Sequence, residues 1–246
     1  MANQSVFRRY ELKYLLTQSQ KEIILAAMAP YMRSDAYGKT TIRNIYFDTD
    51  NYRLIRRSIE KPIYKEKLRI RSYKQATPSS TVFVELKRKY DHVVYKRRVA
   101  LPEQTALDWV CDRIPCASPD QISAEIDYFL QYYGALRPTV FLSYERDAYY
   151  HHSDSSFRVT FDENIRCRKN DLSLECGVYG DPLLDNDHTL MEIKCAGGIP
   201  LWMTRVLSDQ RIYKTSFSKY GTAYQTMIFP SLKSITNTEK ELFTHA

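Results

Sequence analysis

Charged residues recur at every second position through most of the strand-like segments of this chain. That period constrains the fold more than any other feature. Side chains alternate across a β-strand, so residues two apart share a face. Arg9, Glu11 and Lys13 fall on one face, and Tyr10, Leu12 and Tyr14 on the other. Lys67, Arg69 and Arg71 oppose Leu68 and Ile70, and Glu85 and Lys87 oppose Val82, Val84 and Leu86. Lys96 and Arg98 oppose Tyr95 and Val99, with Arg97 off the pattern. Tyr144 shares a face with Arg146, as do Arg158, Thr160 and Asp162 with one another. Glu192 and Lys194 oppose Met191 and Ile193.

A solvated sheet face also alternates, but it usually mixes Thr, Ser, Gln, Glu and Lys. Here the polar face is mainly Arg and Lys. Like charges on neighbouring strands repel unless something anionic lies between them. A barrel with a polar lumen meets that condition, because the lumen holds an anion and its metal.

The rest of the chain reads as α+β. Strands are predicted at Phe7–Leu16, Thr40–Asp48, Lys67–Tyr73, Thr81–Lys89, Val93–Leu101, Thr139–Tyr150, Phe157–Phe161 and Thr189–Cys195. Tyr90-Asp91-His92 reads as a hairpin turn. Thr17 or Ser19 caps a helix, with Gln20 and Glu22 at capping-box spacing and Pro30 marking its end. A second helix is expected over Pro102–Arg113. Ser118-Pro119-Asp120-Gln121 reads as a cap, Pro at the first helical position and a capping-box Gln, starting a helix that ends near Gly134. Two more helices are expected, at about Trp202–Tyr213 and from Ser218. No βαβ rhythm, internal repeat, Gly-rich phosphate loop or dividing linker is present. The expectation is one α+β domain over residues 1–230, built on a large antiparallel sheet or barrel, and a polar tail over 231–246.

Composition narrows the function. Residues 1–100 hold 22 Lys+Arg against 9 Asp+Glu, and residues 101–246 hold 14 against 20. The positive field lies in the first half, so the partner is an anion. The absence of an apolar leader or a long apolar run, with five Cys lacking a C-x-x-C pair, predicts a cytoplasmic protein with reduced thiols. His151 and His152 read as a turn or strand end. A lumen of Arg and Lys suits polyphosphate: Arg grips phosphate oxygens with a bidentate fork and Lys adds point charge. Carboxylates among the cations fit a divalent metal, since Mg²⁺ takes one or two carboxylates plus substrate phosphates.

Seven segments carry a resemblance. Arg9-Tyr10-Glu11-Leu12-Lys13-Tyr14, Ile45-Tyr46-Phe47-Asp48, Tyr64 to Tyr73, Val84-Glu85-Leu86-Lys87, Ser143-Tyr144-Glu145-Arg146, Leu190-Met191-Glu192-Ile193-Lys194 and Phe217-Ser218-Lys219-Tyr220 resemble, in order, the VTC family. This is the polyphosphate polymerase domain of the vacuolar transporter chaperone, within the triphosphate tunnel metalloenzymes. The resemblance spans about residues 5 to 228. It implies a β-barrel tunnel that moves the γ-phosphate of ATP to a polyphosphate chain with Mn²⁺ or Mg²⁺.

By motif match, Lys13, Arg69, Arg71, Lys87, Lys96, Arg98, Arg146 and Arg158 contact phosphate, and Tyr144 lines the tunnel. Arg9 and Lys194 also bind substrate. Glu192 holds the metal, with Glu11 and Glu85. Ser218 and Lys219 bind the chain near a helix N-terminus. The segment Arg56–Lys67 supplies a further cation, with Arg57 the first choice.

The related triphosphatase and cyclase branch carries Glu-x-Glu-x-Lys in the first strand, whereas this chain has Arg9-x-Glu11-x-Lys13. Exchanging a carboxylate for a cation favours grip on a long polyanion over water activation at two metals. The expected partners are ATP and polyphosphate or pyrophosphate. No nucleic acid is expected, and any membrane export would use a separate partner. The alternatives are a tripolyphosphatase or nucleoside triphosphatase of the same fold, and a non-catalytic polyanion-binding module.

Overall fold

The structure, a computed structural model, describes residues 10–91, 93–116, 119–154 and 156–232. In chain order its elements are β1 (Tyr10–Thr17), α1 (Gln18–Met28), β2 (Met32–Ser34), β3 (Thr40–Asp48), α2 (Arg53–Ile59) and β4 (Tyr64–Ser72). Then come β5 (Thr81–Tyr90), β6 (Val93–Pro102), α3 (Glu103–Cys111), α4 (Gln121–Tyr133), β7 (Arg137–His151) and β8 (Arg158–Arg168). The last are β9 (Asp181–Pro182), β10 (His188–Cys195), α5 (Leu201–Asp209), β11 (Lys214–Thr215), α6 (Lys219–Ala223) and a π-helical turn, Tyr224–Ile228.

The eleven strands form one antiparallel sheet in the order β11-β1-β10-β8-β7-β3-β4-β5-β6, with β2 on β7 and β9 on β8. The backbone ladder does not close into a barrel among the described residues. The sheet curls instead, and Lys87 of β5 meets Glu11 of β1 at 3.1 Å across the gap. The tunnel wall is thus completed by side-chain charge rather than by a closing ladder.

The alternation works as the sequence predicts. One face of the sheet is apolar and is covered from outside by helices in two groups. Ile45, Phe47, Leu68, Ile70, Val84 and Leu86 pack with Trp109 of α3 and Phe129 of α4. Tyr14, Leu16, Val159, Phe161, Met191 and Ile193 pack with Ile24 and Met28 of α1 and Met203 and Leu207 of α5. On the concave face, α6 and the π-helical turn place Tyr220, Ala223, Tyr224 and Ile228 against Tyr46, Val140, Leu142 and Tyr144. That third cluster fills part of the lumen and leaves a polar remainder.

Local signals explain three of the helix starts, α1, α4 and α6. Thr17 caps α1, and Gln20 returns the bond to the Thr17 backbone, a reciprocal capping box. The start of α4 differs from expectation: Asp120 is the cap and Ser123 the reciprocating residue, because the Asp120 carboxylate reaches the Ser123 N–H at 2.7 Å. Pro119 therefore precedes the helix, and Ser118 lies outside the described residues. Helix α5 stops at Asp209 rather than near Tyr213, where Arg211 turns left-handed at φ 52°. Helix α2 carries no capping signal in its own sequence. Buried Asp48 starts it from the end of β3, accepting the N–H groups of Leu54 and Ile55 at 2.8 and 2.9 Å. His151 ends β7, where its Nδ1 lies 3.3 Å from the Ser153 N–H. The five cysteines are unbridged.

Candidate functional site

Strand register sorts the lumen cations into two tiers. Lys67 pairs with Lys87 and Arg69 with Glu85 across β4 and β5. Glu85 pairs with Arg98 and Lys87 with Lys96 across β5 and β6. One tier is rich in lysine and the next in arginine.

Glu85, 1% exposed, is the hub of the arginine tier. Arg69 donates to its Oε2 from Nε at 2.9 Å and from Nη2 at 2.7 Å. Arg98 Nε donates to Oε1 at 2.7 Å, and Lys96 Nζ lies 2.6 Å from the same oxygen. Arg71 Nε stands 3.8 Å away. Burial alone would raise the Glu85 pKa, but Arg69, Arg71 and Lys96 hold the carboxyl well below its usual range. Asn44 and Tyr144 orient Arg71, accepting from its Nε and Nη2 at 2.9 Å each. Tyr46 accepts from Arg69 Nη1 at 2.9 Å.

The lysine tier surrounds three carboxylates, Glu11, Glu192 and Asp162. Lys13 lies 3.3 Å from Glu192 and 3.6 Å from Glu11. Burial opposes its charge, yet Glu192 and Glu11 hold its ammonium above the usual lysine range. Arg146 forks onto Asp162 at 2.5 and 2.6 Å and reaches Glu192 at 3.5 Å. Lys194 is 3.4 Å and Lys219 3.6 Å from Glu192, and Lys219 also bonds Asp162. Glu192 is buried, which disfavours its charge, but Lys13, Lys219, Lys194 and Arg146 keep it ionised. Glu11 is held far below the carboxylate range, chiefly by Lys87.

Lys67 is the cation that site selection by motif passed over. Its Nζ donates to Ser218 Oγ at 3.0 Å. Burial lowers its pKa to about 7, helped by Lys13, Lys87, Lys65 and Arg69. Arg57, chosen from sequence for this segment, is exposed on α2 and borders a notch with Tyr64, Glu66 and Tyr133. Lys65 borders the same notch, and among the described residues no ion pair joins Arg57 to the lumen carboxylates. The parity of Lys67 with Arg69 and Arg71 was the available signal. Asp162 carried the same signal and sits fully buried at the centre of the lysine tier.

The other selected residues divide plainly. Lys13, Arg69, Arg71, Lys87, Lys96, Arg98, Tyr144, Arg146, Lys194, Lys219, Glu11, Glu85 and Glu192 are joined through these contacts. Arg158 does not join them: its side chain is 49% exposed and meets Asp35 at 3.4 Å. Arg9 lies outside the described residues. Ser218 and Lys219 reach the lumen, but through side-chain contacts rather than a helix dipole. Helix α6 is five residues long, and Ser218 Oγ is spent on the Gly221 N–H and the Lys67 ammonium.

The family model for the VTC domain matches residues 8–228. The chain belongs to the VTC domain family. Among solved structures, a candidate adenylate cyclase from Bacillus halodurans superposes with a TM-score of 0.52 at 15% identity, covering 86% of this chain and 95% of its own. A second candidate adenylate cyclase, from Vibrio parahaemolyticus, gives 0.47 at 10% identity, over 89% and 98%. At such identities the first likeness shows the fold alone. No curated protein matches the chain. In this VTC domain, no described helix is long and apolar enough to cross a membrane.

Proposed function

We propose that this VTC domain is a metal-dependent polyphosphate polymerase that transfers the γ-phosphate of ATP to a growing polyphosphate chain. One observation carries the reading: eight cations of a single sheet face, with Lys219 of α6, converge on the buried carboxylates of Glu85, Asp162 and Glu192 and the half-buried one of Glu11 in a curled lumen.

A polyphosphate chain repeats its negative charge along its length, and the tiers repeat positive charge along the strands. In the transfer, the bond between the γ-phosphorus and the β,γ-bridging oxygen breaks. A bond forms from a terminal oxygen of the acceptor chain, and ADP leaves. The attacking oxygen is already anionic, so the step needs no general base. Catalysis then rests on alignment and on neutralising charge at the transferring group. Arg69, Arg71 and Arg98 are forks suited to phosphate oxygens. Lys13, Lys87, Lys96, Lys194 and Lys219 add displaceable point charges, and Arg146 is positioned by Asp162.

The carboxylates differ in fitness for a metal. Both Glu85 oxygens are taken by guanidinium and ammonium donors, which suits a counter-ion more than a ligand. Glu192 and Glu11 lie close enough to oppose each other's ionisation, and lysines, which phosphate can draw away, satisfy most of their oxygens. They fit a divalent ion completed by substrate oxygens. When bound, Mn²⁺ or Mg²⁺ supplies Lewis-acid stabilisation of phosphoryl charge.

Mass analysis of products from ATP and Mn²⁺, with and without a pyrophosphate primer, tests the reading. A ladder of lengthening polyphosphates with ADP is expected. Orthophosphate release from tripolyphosphate without elongation replaces it with the hydrolase reading.

A further inference from the structure

We propose that the outer wall of the tunnel carries a second anion site, for inorganic phosphate or a phosphomonoester, built on Arg43 and Arg166. These residues stand on the opposite side of the sheet from the lumen. Register aligns Arg43 of β3 with Ser143 of β7, and Ser143 with Arg166 of β8. All three therefore share one face, in a row across three strands. A cleft of about 430 Å³ opens beside Arg43 and Arg166, above the buried Ser143. Thr41, Arg43, Glu145, Asn164, Arg166 and Val178 line it.

Two polar atoms at this wall lack partners. Arg43 Nε and Ser143 Oγ are buried, and neither has a hydrogen-bond partner. The one bond from Arg43 Nη1 is a 3.5 Å contact to the Thr41 carbonyl of its own strand. Arg166 donates to the Gly180 carbonyl at 3.1 Å and leaves the rest of its fork open. Among the described residues neither guanidinium is ion-paired, in contrast to the arginines of the lumen. Buried polar groups in native proteins are normally satisfied, and buried charges are paired. The two guanidiniums, with the Asn164 amide beside them, border the cleft and present donors suited to a tetrahedral oxyanion. Glu145, the carboxylate of the cleft, is engaged by Lys39 at 3.2 Å.

The cleft backs directly onto the lumen. The sheet register shifts between Ser143 and Glu145, and Tyr144 occupies that irregularity. Tyr144 borders the cleft, while its hydroxyl accepts from Arg71 on the inner side at 2.9 Å. An anion on the outer wall thus sits one residue from the group that orients Arg71.

Calorimetric titration of the intact protein with inorganic phosphate, and separately with AMP, tests this. Two classes of site are expected. Arg43→Gln and Arg166→Gln should each weaken one class about 10- to 100-fold and leave the other. Arg71→Ala should do the reverse, and Glu145→Gln should tighten the outer class. If Arg71→Ala changes nothing while Arg43→Gln still removes a site, the lumen reading fails and the outer site stands. Titrations of Arg43→Gln that superimpose on the wild type, or a Glu145→Gln variant no tighter than wild type, overturn the outer site. Phosphate binding without AMP binding assigns the cleft to the free ion.

Discussion

Arg69 places two nitrogens on a single oxygen of Glu85, at 2.9 and 2.7 Å. The other Glu85 oxygen is left to Arg98 and Lys96. One buried carboxylate therefore holds cations from the two strands that flank its own. Glu85→Gln keeps the shape and removes the charge that compensates them. Breaking a buried ion cluster on one side costs about 3–5 kcal/mol. At about 2–4 °C per kcal/mol for a chain of this size, thermal unfolding should shift down by roughly 6–20 °C. Tripolyphosphate should recover more of the midpoint in the variant than it adds to the wild type. A wild-type midpoint would remove Glu85 as the hub.

Arg71 is oriented by Asn44 and Tyr144, so its fork is fixed before any substrate arrives. A charged hydrogen bond is worth about 1.5–3 kcal/mol. Arg71→Ala should therefore weaken polyphosphate binding or turnover roughly 10- to 100-fold. Calorimetry with a defined polyphosphate measures it, and equal affinity would place Arg71 outside the binding surface.

Glu192→Gln should reduce activity and blunt its dependence on Mn²⁺ concentration, with a cooperative unfolding transition retained. Mn²⁺ binding followed by paramagnetic resonance reads the metal directly. Undiminished turnover in Glu192→Gln would separate Glu192 from the metal.

Burial and neighbouring cations lower the Lys67 pKa to about 7. Below that pH the lumen gains a charge, and an anion favours the charged form. Affinity for long-chain polyphosphate without metal should fall as pH rises from 6 to 8. Lys67→Met should weaken binding most at pH 6, with the two proteins converging as pH rises. Parallel pH curves for wild type and variant would show that Lys67 does not titrate in this window.

The sequence by itself determined which residues share the inner face. Period-two alternation is local and survives without knowledge of partners, so Lys13, Arg69, Arg71, Lys87, Arg146 and Glu192 could be grouped from it. It also gave most strands, and the α1 capping box, because these depend on neighbours in sequence. Helix α2 could not be read this way, since its first turn is satisfied by Asp48 from another element. Arg57 and Lys67 could not be ranked from sequence for the same reason: depth in the lumen depends on which elements meet.

Only the tertiary structure decided how the charges compensate one another. The curl that brings Glu11 to Lys87, 76 residues apart in sequence, sets the lumen's width and closes it by charge. Register placed Glu85 among four cations and left Arg158 at the rim with Asp35. A strand pattern fixes the face a side chain takes, whereas its pKa and partners follow from strands brought together by folding.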